Sequence, residues 1–171
     1  MAAYSIHALN ALTQTDFVAC LSDIYEHSPW LAECADWQRP FASVASLAAA
    51  MQACVERADQ GAQLALIRVH PELTGKLAMR GELTTSSQAE QAAAGLNNCT
   101  EAEFTALSQL NHTYQQKFNF PFIVAVRGMN RIDIISAMTQ RLTHTTEQEI
   151  DAALRQIGRI AQFRLNDLIT D

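Results

Sequence analysis

The sequence predicts an all-α protein, a single domain over residues 1–171 with seven or eight helices and one short extended buried segment at about residues 120–127. The chain has only 6 glycines and 4 prolines among its 171 residues, well below the roughly 12% that these two residues reach together in ordinary proteins. Hydrophobic residues make up 49% of the chain, but aromatic residues only 7%. Alanine and leucine supply most of the hydrophobic set. Because turn residues, valine, tyrosine and tryptophan are all scarce, the composition disfavours a sheet protein.

Capping residues and hydrophobic periodicity divide the first half of the chain into four helical stretches. The predicted stretches are 15–27, a turn or short helix at 30–40, 43–61 and 62–69. Ser43 or Ser46 is expected to cap the third stretch, and Gly61 to stop it. The fourth ends at His70, because the residue before Pro71 is disfavoured in the α conformation.

The second half begins with a predicted loop at 73–83 and continues with four helices. The predicted helices are 87–95, 100–117, 132–142 and 146–169. Thr100 and Glu103 have the spacing of a capping box, and so do Thr146 and Glu149. Both pairs are therefore predicted to mark helix starts.

Composition and charge exclude several classes of function. Twelve Lys and Arg residues against 18 Asp and Glu residues give a net charge of −6 and a pI of about 5.3, so the chain lacks the basic surface of a nucleic-acid-binding protein. No apolar run approaches the roughly 20 residues that span a bilayer. Residues 1–10 do not have the pattern of a secretory signal. We expect a soluble cytoplasmic protein that binds neither nucleic acid nor membrane.

Cysteine and histidine spacing argues against a metal centre. The four cysteines are widely separated and include no Cys-x-x-Cys pair, and the five histidines include no His-x-x-x-His pair. These spacings are the usual signs of zinc sites. We expect no metal, and no disulfide framework in a chain large enough to have its own core.

His70 is the first candidate catalytic residue. It is predicted in the last turn of a helix, where the helix dipole favours a protonated imidazole. Pro71 fixes the direction in which the chain leaves this helix. An imidazole held in this way suits a general acid or base, although His70 could equally serve only as the helix cap.

Ser87-x-x-Glu90 has two interpretations. As a capping box, the Glu90 carboxylate bonds back to the Ser87 backbone. As a catalytic carboxylate, Glu90 lies in the first turn of a helix whose exposed N–H groups also attract an anionic ligand. The spacing is compatible with both.

Phe120–Val126 is the only β-like run in the chain, and no second strand is evident to pair with it. We therefore predict an extended buried segment and not part of a sheet. Such a backbone has N–H and C=O groups without ladder partners, which a planar ligand rich in amides can use. Alternatively, the segment is a buried connector whose backbone N–H and C=O groups form hydrogen bonds with water and neighbouring side chains.

Arg164 interrupts an apolar stripe on the last predicted helix. The stripe alternates steps of four and three residues, and its members are Ile150, Leu154, Ile157, Ala161, Arg164 and Leu168. A guanidinium cannot be buried unpaired, because its desolvation costs several kcal/mol. Arg164 therefore reaches the surface, pairs with a structural carboxylate, or binds an anionic ligand.

Four separated motifs together resemble the 2-oxo-4-hydroxy-4-carboxy-5-ureidoimidazoline (OHCU) decarboxylase family of purine catabolism, from about residue 17 to residue 168. The motifs are His70-Pro71-x-Leu73, Ser87-x-x-Glu90-Gln91-x-x-x-Gly95-Leu96, Lys117-Phe118-x-Phe120-Pro121-Phe122-Ile123 with Val126-Arg127-Gly128, and Arg159-Ile160-Ala161-x-x-Arg164-Leu165. Their order and spacing make the combination specific. One departure is Asn119, where the family more often has glycine, and asparagine also tolerates the left-handed conformation.

The resemblance implies a cofactor-free helical homodimer that removes CO2 from OHCU and yields (S)-allantoin in urate degradation. It implies that His70 and Glu90 are the catalytic pair. The substrate-binding residues that it implies are Pro71, Ser87, Gln88, Gln91, Phe122, Ile123, Val124, Ala125, Val126 and Arg164.

Two other functions fit the residues without the resemblance. A hydantoin- or allantoin-type racemase or hydrolase could use the same polar residues, and a CO2 assay with the chirality of the product separates it from a decarboxylase. A non-catalytic helical ligand-binding module would use Glu90 as a cap, His70 as a helix end and Arg164 in an ion pair. Such a module would tolerate His70→Ala.

Overall fold

The computed structural model describes residues 4–74 and 83–171. Its elements are β1 (Tyr4–Ser5), α1 (Ile6–Asn10), α2 (Gln14–Leu21), α3 (Trp30–Asp36), α4 (Val44–Arg57), α5 (Gln60–Arg68), α6 (Thr85–Ala93), a 3-10 turn (Leu96–Asn98), α7 (Glu101–Phe118), α8 (Arg131–Arg141), α9 (Thr146–Leu168) and β2 (Ile169–Thr170). The predicted all-α class is confirmed. The predicted loop at 73–83 falls largely on residues 75–82, which lie outside the described residues.

Side-chain caps decide where α4 and α5 meet. Ser43, one of the two predicted caps, opens α4. The prediction that Gly61 stops this helix is wrong, because α4 ends at Arg57 and a new cap follows at once. The Asp59 carboxylate accepts the Ala62 N–H at 2.8 Å, and a carboxylate in this position favours a new helix start. Gly61 therefore lies in the first turn of α5.

α7 begins and ends as the sequence predicts. Thr100 and Glu103 form a reciprocal capping box at its start. At its end Asn119 adopts the left-handed conformation, with φ of 60°, which asparagine tolerates better than most residues with a side chain. The Arg68 Nε donates to the Asn119 carbonyl at 3.3 Å. This turn directs the chain into the extended segment that follows.

By their internal contacts, residues 1–66 with 157–171 form one compact unit and residues 67–156 form another. In unit 1, the first of these, β1 and β2 pair in parallel, with Tyr4 beside Ile169. The sequence did not predict this pair, because strands of two residues carry no readable periodicity. Their pairing depends on the two ends of the chain meeting.

A disulfide between Cys34 and Cys54 joins α3 to α4 in unit 1. We expected no disulfide framework, and this pair corrects that expectation. The sequence separation of 20 residues hides the pairing, since only the packing of the two helices brings the cysteines together. Cys20 and Cys99 are free.

In unit 2, residues 67–156, aromatic side chains pack around Tyr114. The ring of Phe118 lies 4.6 Å from the Tyr114 ring, and the ring of Phe122 lies 5.3 Å from it, edge to face. Residues 120–126 are buried except for the half-buried Val124, and they pair with no strand in the described part of the chain. The predicted extended buried segment is confirmed.

The apolar stripe of α9 is also confirmed. Its members Ile150, Leu154, Ile157, Ala161 and Arg164 are buried, and its last member, Leu168, is half-buried. Arg155 and Arg159, which lie off the stripe, are exposed. Within the described ranges, no helix combines the length and apolar character that crossing a membrane requires.

The disulfide should contribute measurably to the stability of the oxidised protein. A cross-link that closes a loop of this size contributes about 3 kcal/mol to the free energy of unfolding. We expect dithiothreitol to lower the urea midpoint of the wild type but not that of a Cys34→Ala/Cys54→Ala variant. Thiol titration of protein that has been oxidised in air and then denatured should detect only Cys20 and Cys99. Four reactive thiols after that oxidation would contradict the pairing.

Candidate active site

His70 lies just beyond α5, on the segment by which the chain leaves the helix. α5 ends at Arg68, and the His70 N–H donates to the Ile67 carbonyl at 3.3 Å. His70 is only 6% exposed. The sequence predicts His70 in the last turn of the helix, whereas the structure has it two residues past the last helical residue, Arg68. A buried imidazole that is held at a helix end still suits general acid–base catalysis.

Two amide side chains hold the loop that follows His70. The Gln91 Oε1, from α6, accepts the Thr74 N–H at 3.1 Å, and its Nε2 donates to the Glu72 carbonyl at 3.4 Å. From α7, the Asn111 Nδ2 donates to the Leu73 carbonyl at 2.8 Å. Three consecutive residues are therefore tied to two helices. Gln91, predicted only to contact substrate, also shapes the loop after His70.

Sequence reasoning missed Asn111, although a signal was present. Asn111 occupies the apolar face of α7 together with Leu107, Tyr114 and Phe118, at helical spacing. A polar residue on such a face needs a partner when it is buried. Its Oδ1 has no hydrogen-bond partner within the described residues, so the contact that it makes to the loop is through its donor.

α6 carries Ser87, Glu90 and Gln91 on one face. The Thr84 hydroxyl accepts the Ser87 N–H at 3.3 Å and caps the helix. The interpretation of Ser87 and Glu90 as a capping box is therefore wrong, because Ser87 lies inside the helix. Ser87 and Gln91 are buried and Glu90 is half-buried.

Beside α6 lies a cavity of about 560 Å³, a volume that suits a small organic molecule. Gln88 and Gln91, both predicted to bind substrate, line it together with Thr74. The Thr74 Oγ1 is buried and has no hydrogen-bond partner in the described ranges. Gln91 therefore joins this cavity to the loop that follows His70.

The backbone N–H groups of the extended segment 122–126 are the donors that the sequence predicts for a ligand. Of its five N–H groups, only that of Ala125 has a hydrogen-bond partner among the described residues, the Gln156 Oε1 at 2.9 Å. The Ala125 N–H is therefore held by Gln156, and the substrate-binding role of Ala125 stays a prediction. Within the described residues, the other N–H groups of the segment have no acceptor.

A buried cluster behind this segment was not predicted. The Glu149 carboxylate has no exposed surface and accepts hydrogen bonds from Arg141, His144 and Tyr114. Burial, followed by the bond to Glu149, raises the pKa of the Tyr114 hydroxyl. The prediction that Glu149 forms a capping box is wrong, because Thr145 caps α9.

Arg164 belongs to unit 1, whereas the other predicted site residues belong to unit 2. Its guanidinium donates to the Glu26 carboxylate at 2.9 Å and to the Asp23 carbonyl at 3.0 Å. Arg164 and Glu26 are both buried. Of the three possibilities for this arginine, pairing with a structural carboxylate is present.

A sequence profile of OHCU decarboxylase matches residues 10–166. The chain belongs to the OHCU decarboxylase family. It is 40% identical over 161 residues to the 2-oxo-4-hydroxy-4-carboxy-5-ureidoimidazoline decarboxylase of Haloferax volcanii, covering 94% of each chain. It is 39% identical to a uric acid degradation bifunctional protein of Bacillus subtilis, covering 98% of this chain but 33% of that protein.

A solved structure of (S)-allantoin synthase has the same fold as this OHCU decarboxylase family member. The two superpose with a TM-score of 0.78 at 29% sequence identity, over 96% of this chain. This chain spans 54% of that longer chain.

Replacing Asn111 with alanine should impair both folding and turnover. The Leu73 carbonyl would lose its buried donor, which costs about 1–3 kcal/mol, and the loop after His70 would lose one of its ties. We expect a lower urea midpoint and a several-fold lower kcat. The matched control is His112→Ala, an exposed position on the same helix; equal effects of the two changes would contradict this role of Asn111.

Proposed function

We propose that this chain removes CO2 from OHCU and yields (S)-allantoin in the degradation of urate. The observation that carries the proposal is the buried His70 segment, which Gln91 ties to the α6 face bearing Ser87 and Glu90. Two hydrogen bonds thus join the segment that follows His70 to the helix that carries Glu90, in a member of the OHCU decarboxylase family. The enzyme is a carboxy-lyase.

The reaction needs an acceptor for electrons and a donor for a proton. When the bond to the carboxylate breaks, CO2 leaves and its bonding electrons remain on the ring carbon. They delocalise into the neighbouring unsaturated group, whose heteroatom becomes negatively charged. A proton delivered to one face of the carbon then makes a single enantiomer, whereas unassisted protonation makes both.

His70 delivers that proton in our proposal, and Glu90 orients or charges the imidazole. A positioned acid–base pair contributes roughly 10²- to 10⁴-fold to the rate. The neighbouring Ser87 and Gln91 lie four residues apart on the same helix face, where they can hydrogen-bond one ureido group. Pro71 and Gln88 complete the contacts that we assign to this side of the substrate.

The backbone N–H groups of 122–126 stabilise the developing negative charge, with the exception of Ala125. Donors held in advance by the fold need no reorganisation during the reaction, which makes this kind of stabilisation effective. The family resemblance assigns Arg164 to substrate binding, and a guanidinium suits a carboxylate or ring oxygens because its donors lie in one plane. The ion pair of Arg164 with Glu26 fixes the plane of the guanidinium.

We extend the proposal to a cofactor-free homodimer in the cytoplasm, with residues 1–171 acting as one domain. Acid–base groups and backbone donors suffice for the steps above, so the mechanism assigns no step to a cofactor. In a reducing cytoplasm Cys34 and Cys54 would be thiols. The thiol state of protein captured directly from cells therefore tests the location.

Replacing His70 with asparagine should abolish stereospecific catalysis, because it removes the titratable imidazole but keeps a polar side chain of similar length. With OHCU generated in situ from urate, we expect the wild type to produce a circular-dichroism signal of chiral allantoin together with CO2. His70→Asn should lower the enzyme-dependent rate by roughly 100-fold or more. His112→Asn on the exposed face of α7 is the control.

The outcomes of this experiment separate the candidate functions. Full CO2 release by His70→Asn would refute the proton-donor role. Chiral allantoin without protein-dependent CO2 release would indicate a racemase or hydrolase. If the wild type changes neither CO2 release nor the chirality of allantoin, a non-catalytic ligand-binding module is the remaining candidate.

A further inference from the structure

The extended segment 122–126 needs an external support. An isolated strand has no ladder hydrogen bonds to fix its backbone. The Gln156 side chain holds one N–H, that of Ala125, at the far end of the segment. The first half of the segment must be held in another way.

Arg141, the last residue of α8, provides that support. Its Nη1 donates to the Ile123 carbonyl at 2.6 Å. Its guanidinium also lies over the Phe122 ring, 4.5 Å from the centroid, in the geometry of a cation–π contact. One side chain therefore holds both the backbone and the ring of the segment.

Glu149 in turn fixes the position of Arg141. The Arg141 Nε lies 3.1 Å from both carboxylate oxygens, and its Nη2 lies 2.8 Å from Oε2. His144 Nδ1 lies 2.6 Å from Oε1, and the Tyr114 hydroxyl donates to Oε2. The carboxylate has acceptor sites for all of these donors, so the guanidinium is locked in one orientation.

We propose that Arg141 is a positioning residue for catalysis, which aims the unused N–H groups of 122–126 at the substrate. This inference rests on the proposed function. Arg141 itself touches no reacting atom; it sets the place of the donors that do. Since these donors meet charge that develops only as CO2 leaves, a misplaced segment should lower kcat more than it raises KM.

Arg141→Lys is the discriminating variant. A lysine ammonium keeps the charge beside Glu149, but it has no planar fork. It cannot bond to the carboxylate through two nitrogens while it also holds the Ile123 carbonyl and covers the Phe122 ring. A role limited to charge pairing would survive this change, whereas a role in aiming the segment would not.

The experiment compares wild type, Arg141→Lys and the control Arg155→Lys, which makes the same change at an exposed position of α9. We expect kcat to fall about tenfold or more in Arg141→Lys, a loss comparable to that of misaligned oxyanion donors, with KM changed much less. Amide NMR should show that the Val124 N–H signal responds to (S)-allantoin in the wild type and the control but not in Arg141→Lys.

Wild-type kcat and an unchanged Val124 response in Arg141→Lys would overturn the proposal. If that variant does not fold, Arg141→Gln decides in its place, because its amide can donate to Glu149 or to the Ile123 carbonyl but cannot span both as the guanidinium does. A lower kcat in folded Arg141→Gln supports positioning of the segment, and an unchanged kcat refutes it. A wild type that does not decarboxylate OHCU would instead refute the proposed function, and this inference with it.

Discussion

The buried Glu149 carboxylate is the constraint on which unit 2 depends. It has no exposed surface, so its charge is tolerated only because donors from α7, α8 and the turn before α9 converge on it. Removing one member of such a pair costs about 3–5 kcal/mol, because the remaining charge stays buried without its partner. The same carboxylate that joins these elements also determines where Arg141, and with it the Ile123 carbonyl, must lie.

Neutral amide side chains fix the backbone of the loop that follows His70. Gln91 and Asn111 bond to backbone groups of three successive residues. An amide side chain supplies both a donor and an acceptor, so it can hold a loop without introducing a charge beside a titratable imidazole. Within unit 2, a charged cluster therefore supports the extended segment, and amide side chains support the loop that follows His70.

The sequence predicted the parts of the site whose signals are local. The periodicity of α9 isolated Arg164 as the one charge on an apolar stripe, and the low β content with one β-like run predicted the unpaired segment at 120–127. The family motifs then added His70 and Glu90 as predicted catalytic residues. The errors were also local: two cap signals compete at Gly61 and Asp59, and Ser87 matches a capping box although Thr84 caps the helix.

The sequence by itself determined the helical class, the main helices and the residue types of the site, because periodicity and capping act within a few turns of the chain. Only the tertiary structure decided which partners meet. Cys34 pairs with Cys54, β1 with β2, Arg164 with Glu26, and Arg141 with both Glu149 and Ile123. These contacts join residues that are distant in the chain or separated by a turn. A buried charge or a disulfide selects its partner by packing geometry, which spacing in the sequence does not encode.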